Sequence, residues 1–308
     1  TVALPEMKKF KYDSKLSTGA IACGSTLGVV IPPSVVLIVI GLYTGQSIGK
    51  LFYGGVAAGI LLALLLTLTV YVVCSIKPEW GPVGEKTTLG EKLRALPGAV
   101  EMLILFLLVM LGLYFGFFTP AEAGAAGSFF AVVISLAQGR LSWQGFVNSV
   151  MDTLRISCMV IMIVAGAVIF GKFLTVTRIP FNIAEWVTSL PVPDFVIMAI
   201  IFLIFVIGGA VMDALALLLI TIPIFFPVAE SMGHDPIWFG VTITVITTLG
   251  AVTPPVGATT YVVGGMARDV PLESVFKGVA FFLPAYILSV ILLMVFPGLV
   301  TFLPNLVR

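Results

Sequence analysis

Two proline pairs interrupt apolar stretches of the chain, and each pair follows the same short pattern. The first stretch reads TLGVVIPPS and contains Pro32 and Pro33; the second reads TLGAVTPPV and contains Pro254 and Pro255. A proline has no backbone N–H, so within a helix it deprives the carbonyl four residues earlier of its donor. The carbonyls predicted to lose their donors are those of Gly28, Val29, Gly250 and Ala251.

A carbonyl without a donor is costly in hydrocarbon, so it needs a cation, a water molecule or a hydroxyl group as a partner. Backbone and hydroxyl oxygens together suit a hard alkali cation. The hydroxyl groups near the two breaks belong to Thr26, Ser34, Thr248 and Thr253. The alternative is that each proline pair simply bends its helix while the threonines donate to carbonyls of their own helix. Recurrence of the pattern at matched positions favours a binding function.

The proline patterns belong to a longer internal repeat. When the chain is shifted by 222 residues, nine of the 29 positions from 5 to 33 are identical, including Asp13 with Asp235. After an insertion of two residues in the second copy, Gly54 aligns with Gly278. Repeats of opposite orientation are typical of secondary transporters, whose binding sites lie at mid-membrane where broken helices meet. The repeat therefore predicts a transport function.

Three further polar residues stand out. Asp213 lies between two apolar runs, where a carboxylate is costly and often functional. It could cap the following helix, orient a hairpin tip, bind a cation or relay a proton. Arg268, in MARDVP, is expected to serve topology, with attraction of an anion as the alternative, and His234 is expected to lie in a loop.

The composition places these residues in a membrane. Of 308 residues, 59% are hydrophobic and only 10% are charged, and the mean hydropathy is +1.17. A net charge of +1 gives no basic excess for a nucleic acid partner. Cys23, Cys74 and Cys158 lie singly in apolar runs and are interpreted as inert packing residues. No catalytic nucleophile, paired carboxylates or metal cluster is evident, so we do not expect an enzyme.

The apolar runs predict the elements that position the two breaks. Broken helices are expected at 15–43 and 235–266, and continuous spans at 48–76, 99–118, 120–138, 152–174 and 275–300. Residues 84–97 predict an interfacial amphipathic helix or a solvated loop, and 179–187 an interfacial segment. The runs 192–212 and 214–232 are interpreted as a re-entrant hairpin, because only a residue or two separates them.

The distribution of basic residues supports this topology. If residues 8–15 are cytoplasmic, 12 of the 16 Lys and Arg residues fall on the cytoplasmic side. The other four are Lys50, Lys172, Arg178 and Arg308. Such an excess follows the positive-inside rule. This assignment of sides requires residues 192–232 to enter and leave the membrane on the outer face.

The two broken helices and their surroundings resemble a known family. At TLGVVIPPS followed by YTGQSIGKLFYGG, and from VMDALALLLITIPIFF to TLGAVTPPVG, the sequence resembles the large membrane subunit of the tripartite ATP-independent periplasmic (TRAP) transporters. The resemblance covers essentially the whole chain, as a carboxy-terminal portion of that subunit. It implies an all-α polytopic membrane protein of the bacterial inner membrane, with inverted repeats, re-entrant helical hairpins and broken transmembrane helices.

The resemblance also implies a mechanism, partners and a coupling ion. It implies an elevator-type symporter that uses Na⁺ and works with a small membrane subunit and a periplasmic solute-binding protein. The substrates would be organic anions such as C4-dicarboxylates or sialic acid. A proton-coupled carrier, or a channel without a binding protein, is the alternative.

Site residues follow from the resemblance position by position. One sodium site would use Gly28, Ile31 and Pro33, and the other Gly209, Gly250, Thr253 and Val256. The residues expected to contact substrate or to gate its passage are Thr26, Ser34, Asp213, Thr248, Pro255 and Arg268. Because the family's first hairpin precedes the segment TVALPEMKKF, and no initiator Met or signal peptide is evident, we expect upstream residues to complete the first site.

The predicted domains follow the repeat. Residues 1–46 would hold the end of a first hairpin and the first broken helix, and 191–266 the second hairpin and the second broken helix, together forming the transport domain. Residues 47–190 would form scaffold helices, and 267–308 a final transmembrane helix.

Overall fold

The computed structural model describes residues 3–82, 97–189 and 191–306, and these residues form helices without any strand. The first helices are α1 (Ala3–Lys9), α2 (Ser14–Ser25), α3 (Leu27–Val30), α4 (Val35–Thr44) and α5 (Ile48–Ile76), with a 3₁₀ turn at Pro78–Trp80. Then come α6 (Pro97–Tyr114), α7 (Pro120–Ala137), α8 (Trp143–Val176), α9 (Ile179–Ser189), α10 (Asp194–Val211) and α11 (Ala214–Ser231). The last are α12 (Pro236–Val252), α13 (Ala258–Met266), α14 (Leu272–Ala280), α15 (Leu283–Val295) and α16 (Gly298–Leu306).

Six of the described helical segments are long and apolar enough to cross a membrane. They are Ser14–Thr44, Ile48–Ile76, Trp143–Val176, Asp194–Val211, Ala214–Ser231 and Leu272–Val295. The predicted class, an all-α polytopic membrane protein, is confirmed. Because α10 and α11 each reach the length of a full span, the re-entrant path of this hairpin stays a prediction.

The chain divides into two compact units, residues 1–83 with 169–308 and residues 84–168. The second unit contains the packed pair α6 and α7. Helix α7 begins as predicted with Pro120 in its first turn, and a reciprocal cap forms between Thr119 and Glu122. The backbone N–H of Thr119 donates to the Glu122 carboxylate at 2.8 Å. The boundaries predicted for transport and scaffold domains stay predictions.

In the first unit, the two broken helices begin in the same way. The Asp13 carboxylate accepts from the N–H of Lys15 at 2.8 Å and caps α2, while Asp235 accepts from the N–H of Trp238 at 2.9 Å and caps α12. The two aspartates are 222 residues apart, so the sequence repeat is also a repeat of local structure. Helix α12 is the core helix, since every residue from Ile237 to Gly250 is buried.

Close helix crossings join the two repeats in equivalent places. Gly278 of α14 lies against Gly19 of α2, where a Cβ on Gly19 would stand 2.5 Å from the Gly278 carbonyl carbon. Gly54 of α5 lies against Val241 of α12, where a Cβ on Gly54 would stand 3.1 Å from a methyl group. Gly54 and Gly278 are equivalent in the repeat, as are Gly19 and Val241. The two crossings are therefore related by the internal symmetry.

Several predicted boundaries need correction. Helix α8 begins at Trp143, nine residues before the predicted start at 152, because a polar first stretch continues into the apolar run. The predicted closing span 275–300 is divided among three helices, with breaks after Ala280 and after Val295. Pro284 lies in the first turn of the helix that follows the first break, and Pro297 lies beside the second break. The predicted segment at 179–187 is helix α9. Nearly all of the predicted helix at 84–97 lies outside the described residues.

Candidate functional site

The first break is short and has two steps. Helix α2 ends at Ser25, a single turn of α3 follows, and Ile31 then adopts an extended conformation. The peptide bond between Pro32 and Pro33 is cis. Ser34 begins α4, where its hydroxyl accepts from the N–H of Leu37 at 3.3 Å. The predicted break is thus confirmed, and Thr26 separates α2 from α3 by one residue with helical backbone angles.

The two carbonyls predicted to lose their helical donors at this break find different partners. The Val29 carbonyl has no backbone donor, as predicted, and the Ser34 hydroxyl turns back and donates to it. The side chain replaces the N–H that Pro33 lacks. In the described part of the chain no donor reaches the Gly28 carbonyl. Thr26 and Ser34 are buried at this break, whereas Gly28 and Pro33 are exposed.

The second break follows the same sequence pattern, but here the first of the two predicted carbonyls, that of Gly250, has a donor. Helix α12 ends at Val252, and the N–H of Thr253 donates to the Gly250 carbonyl at 2.9 Å. The prediction that the Gly250 carbonyl lacks a donor is therefore wrong, because the last turn tightens. Over the described ranges, the Ala251 carbonyl has no donor. The Thr260 hydroxyl, which the sequence did not single out, donates to the Val252 carbonyl at 3.0 Å.

The hairpin of α10 and α11 closes over the second break. A Cβ on Gly250 would stand 2.7 Å from the Gly209 Cα, so only glycine permits this approach of the two backbones. Beyond the prolines, the N–H groups of Val256 and Gly257 both donate to the Ala210 carbonyl at 3.2 Å. The structure therefore brings together Gly209, Gly250 and the backbone of Val256, with Thr253 at the end of α12.

The two breaks differ in what covers them. A Cβ on Gly28 would meet nothing within 4 Å, whereas at the equivalent Gly250 three backbone atoms of α10 lie within 2.7 Å of such a Cβ. Among the described residues, only the second break has a hairpin closed over it. Gly28 lies in α3, and Ile31 and Pro33 lie in the short connection that follows it.

A buried tyrosine supports the first break. The Tyr286 hydroxyl of α15 contacts the Thr26 hydroxyl and donates to the Cys23 carbonyl at 3.0 Å. The Thr26 hydroxyl also lies 2.8 Å from that carbonyl. These groups meet where α2 gives way to α3. Sequence reasoning missed Tyr286, although it is one of only two hydroxyl-bearing residues in the apolar stretch FFLPAYILS.

We expect Tyr286→Phe to lower the melting temperature of the purified protein by about 2–4 °C, since a buried hydrogen-bonding group is lost. Tyr261→Phe is the matched control, because the Tyr261 ring is half exposed. Thermal unfolding in detergent measures both. Equal melting temperatures for the two variants would contradict a supporting role for Tyr286.

Of the remaining predicted residues, Asp213 and Thr248 bond to their own helices and Pro255 lies at the second break. Asp213 caps α11 and accepts from the N–H of Leu215 at 2.9 Å, which confirms the capping alternative. The Thr248 hydroxyl donates to the Val245 carbonyl at 2.6 Å, so it satisfies its own helix. Pro255 is exposed at the break, joined to Pro254 by a cis peptide bond.

Arg268 lies between α13 and α14, beside a cavity of about 580 Å³ that Lys8 also lines. Lys8 forms an ion pair with Asp269 across this cavity and thereby lowers the pKa of the Asp269 carboxyl group. His234 lies in the connection between α11 and α12, as predicted, with its ring 4.9 Å from that of Trp238. Arg268 does not meet the residues of either break.

Within the described ranges, no group of three His, Cys, Asp or Glu side chains could hold a metal ion. Cys23, Cys74 and Cys158 are free cysteines. The oxygen atoms at the breaks come from backbone carbonyls and hydroxyl groups instead. Such neutral oxygens suit hard monovalent cations better than they suit zinc.

Comparison with known proteins identifies the family. Residues 1–299 match the family model of the tripartite ATP-independent periplasmic transporter, DctM component. The chain is 31% identical over 306 residues to the C4-dicarboxylate TRAP transporter large permease protein DctM of Pseudomonas aeruginosa, covering 99% of the chain and 71% of that protein.

Two further relatives carry other substrates in their names. The sialic acid TRAP transporter large permease protein SiaM of Vibrio cholerae is 30% identical over 304 residues, with 98% of the chain and 70% of that protein covered. The 2,3-diketo-L-gulonate TRAP transporter large permease protein YiaN of Escherichia coli is 28% identical over 305 residues, with 99% and 69% covered. The chain therefore belongs to the TRAP transporter family, as an inner-membrane large permease component.

Proposed function

We propose that this chain is the carrier subunit of a sodium-coupled importer of organic anions. The observation that carries the proposal is the second break, where Gly209 of the hairpin lies on Gly250 of α12. Beside this contact are the unpaired Ala251 carbonyl and the end of α12 at Thr253. Neutral carbonyl and hydroxyl oxygens at a broken helix suit a sodium ion, and inverted repeats with broken helices support a carrier.

The substrate class and partners rest on the relatives. The names of two of them specify a C4-dicarboxylate and a sialic acid, both of which are organic acids. We propose the same class for this chain, delivered by a periplasmic solute-binding protein. A small membrane subunit would complete the complex, and residues 1–46 and 191–266 would move as the transport domain of an elevator.

Uptake into proteoliposomes tests this function. The chain would be reconstituted with its small subunit and binding protein, and labelled succinate or sialic acid would be supplied with an inward sodium gradient. Uptake should require sodium and stop when the gradient is collapsed. Flux that ignores sodium but follows a pH gradient would support the proton-coupled alternative, and flux without the binding protein would argue against its role.

A threonine pair tests the second break as the sodium site. Thr253 and Thr247 each donate a hydroxyl hydrogen bond of 2.6 Å to the carbonyl four residues earlier, but only Thr253 lies at the break. We expect Thr253→Val to raise the sodium concentration for half-maximal uptake about tenfold, because a cation loses one oxygen ligand. Thr247→Val should leave it unchanged. A similar sodium dependence in both variants would remove Thr253 from the site.

A further inference from the structure

Two hydroxyl groups in the core have no hydrogen-bond partner. Within the described ranges, Thr242 Oγ1 of α12 and Ser289 Oγ of α15 are buried and unpaired, and both residues are 0% exposed. Native proteins pair the large majority of their buried polar side-chain atoms, if necessary with an ordered water molecule. Two unpaired hydroxyls in one protein core therefore need an explanation.

Thr242 differs from the other threonines of its helix. The hydroxyls of Thr244, Thr247 and Thr248 donate to carbonyls three or four residues earlier, at 2.6 to 2.8 Å. A buried threonine in α12 normally satisfies itself in this way. The Thr242 hydroxyl does not form such a bond.

Two contacts indicate the register of α12 against α15. The indole N–H of Trp238 donates to the Leu293 carbonyl at 2.7 Å. Further along, a Cβ on Gly257 would stand 3.1 Å from the Phe276 ring, so the chain after α12 meets residues before α15. The helices are therefore antiparallel. One turn forward from Trp238 is Thr242, and one turn back from Leu293 is Ser289.

We infer that a buried water molecule lies between Thr242 and Ser289 and bridges α12 to α15. Each hydroxyl group supplies one donor and two acceptor positions, and a buried water molecule makes about three hydrogen bonds. A hard cation gathers more oxygen ligands than two hydroxyls provide. The flanking Trp238, Ile246 and Leu293 are all buried, so the water is separated from bulk solvent.

Paired substitutions test the water bridge. Thr242→Val and Ser289→Ala are compared singly and together by thermal unfolding of the assembled transporter. Each single change should lower the melting temperature by about 2–4 °C, because it leaves the water and the facing hydroxyl short of a partner. The double variant should recover most of that loss, because no polar group is then left unpaired. Thr244→Val is the matched control and should change the melting temperature less than either single variant.

Other outcomes would overturn the bridge. A rise in melting temperature in both single variants would mean that no water molecule lies between the two hydroxyls and that both are unpaired. Small losses of melting temperature in the single variants that add up in the double variant would mean that each hydroxyl bonds to its own helix. A sodium-dependent stabilisation that disappears in both single variants would make the occupant a cation. A density map of the wild-type transporter that resolves water molecules should show one between these two side chains.

Discussion

Gly250→Ala is expected to reduce sodium-dependent uptake at least about tenfold and to lower the melting temperature of the transporter by several degrees. The added Cβ would stand 2.6 Å from the Val206 carbonyl oxygen and 2.7 Å from the Gly209 carbonyl carbon. Backbone atoms of a packed helix cannot rotate away as a side chain can. Helix α10 must therefore separate from α12, and the hairpin no longer closes the second break.

Gly24→Ala provides the matched control. Gly24 lies inside α2, and a Cβ there would meet nothing within 4 Å. Alanine also has the higher helix propensity, so this variant should be as stable as the wild type or slightly more stable. Uptake and thermal unfolding are measured for both variants in the same proteoliposome preparation. Wild-type uptake by Gly250→Ala would show that the Gly209 contact is dispensable.

Gly278→Ala should lower the free energy of unfolding far more than Gly54→Ala, although the two glycines are equivalent in the repeat. A Cβ on Gly278 would collide with the Lys15 carbonyl oxygen and lie 2.9 Å from its carbon. A Cβ on Gly54 would meet methyl groups of Val300 and Val241 at 2.9 and 3.1 Å, and methyl groups can shift. We expect a loss of at least about 2 kcal/mol for Gly278→Ala and under about 1 kcal/mol for Gly54→Ala.

Denaturation of the purified subunit in mixed micelles would measure this difference. The expected difference in stability follows from the residues that face the two glycines. Gly19 faces Gly278, whereas Val241, which has a full side chain, faces Gly54. One crossing is a backbone contact and the other a side-chain contact. Equal losses of stability in the two variants would mean that the crossings are equally tight.

The sequence predicted those features that depend on local chemistry. Proline pairs must interrupt a helix wherever it packs, so both breaks lie where they were predicted. The matched Asp13 and Asp235 caps are likewise local, since each carboxylate accepts from an N–H two or three residues later. The membrane class was confirmed because apolar length and low charge density leave few alternatives.

Features that depend on tertiary or side-chain geometry were missed. The proline rule predicted four carbonyls without a helical donor, but it did not predict that the Ser34 hydroxyl would reach Val29 or that a tightened turn would pair Gly250. Which rotamer a serine adopts, or whether a last turn narrows, is decided by packing. Tyr286 meets Thr26 across 260 positions of sequence, and no local pattern indicates such a contact.

The Ala210 carbonyl, which accepts from both Val256 and Gly257, would affect the release of the sodium ion proposed to bind at this break. Residues on both sides of the second break are held by α10, through Gly209 before the prolines and through Ala210 after them. Withdrawal of α10 would therefore loosen both half-helices in a single event. An ion bound at this break would lose its ligands together, so its departure would be all-or-none, and its rate would depend on the opening of the hairpin.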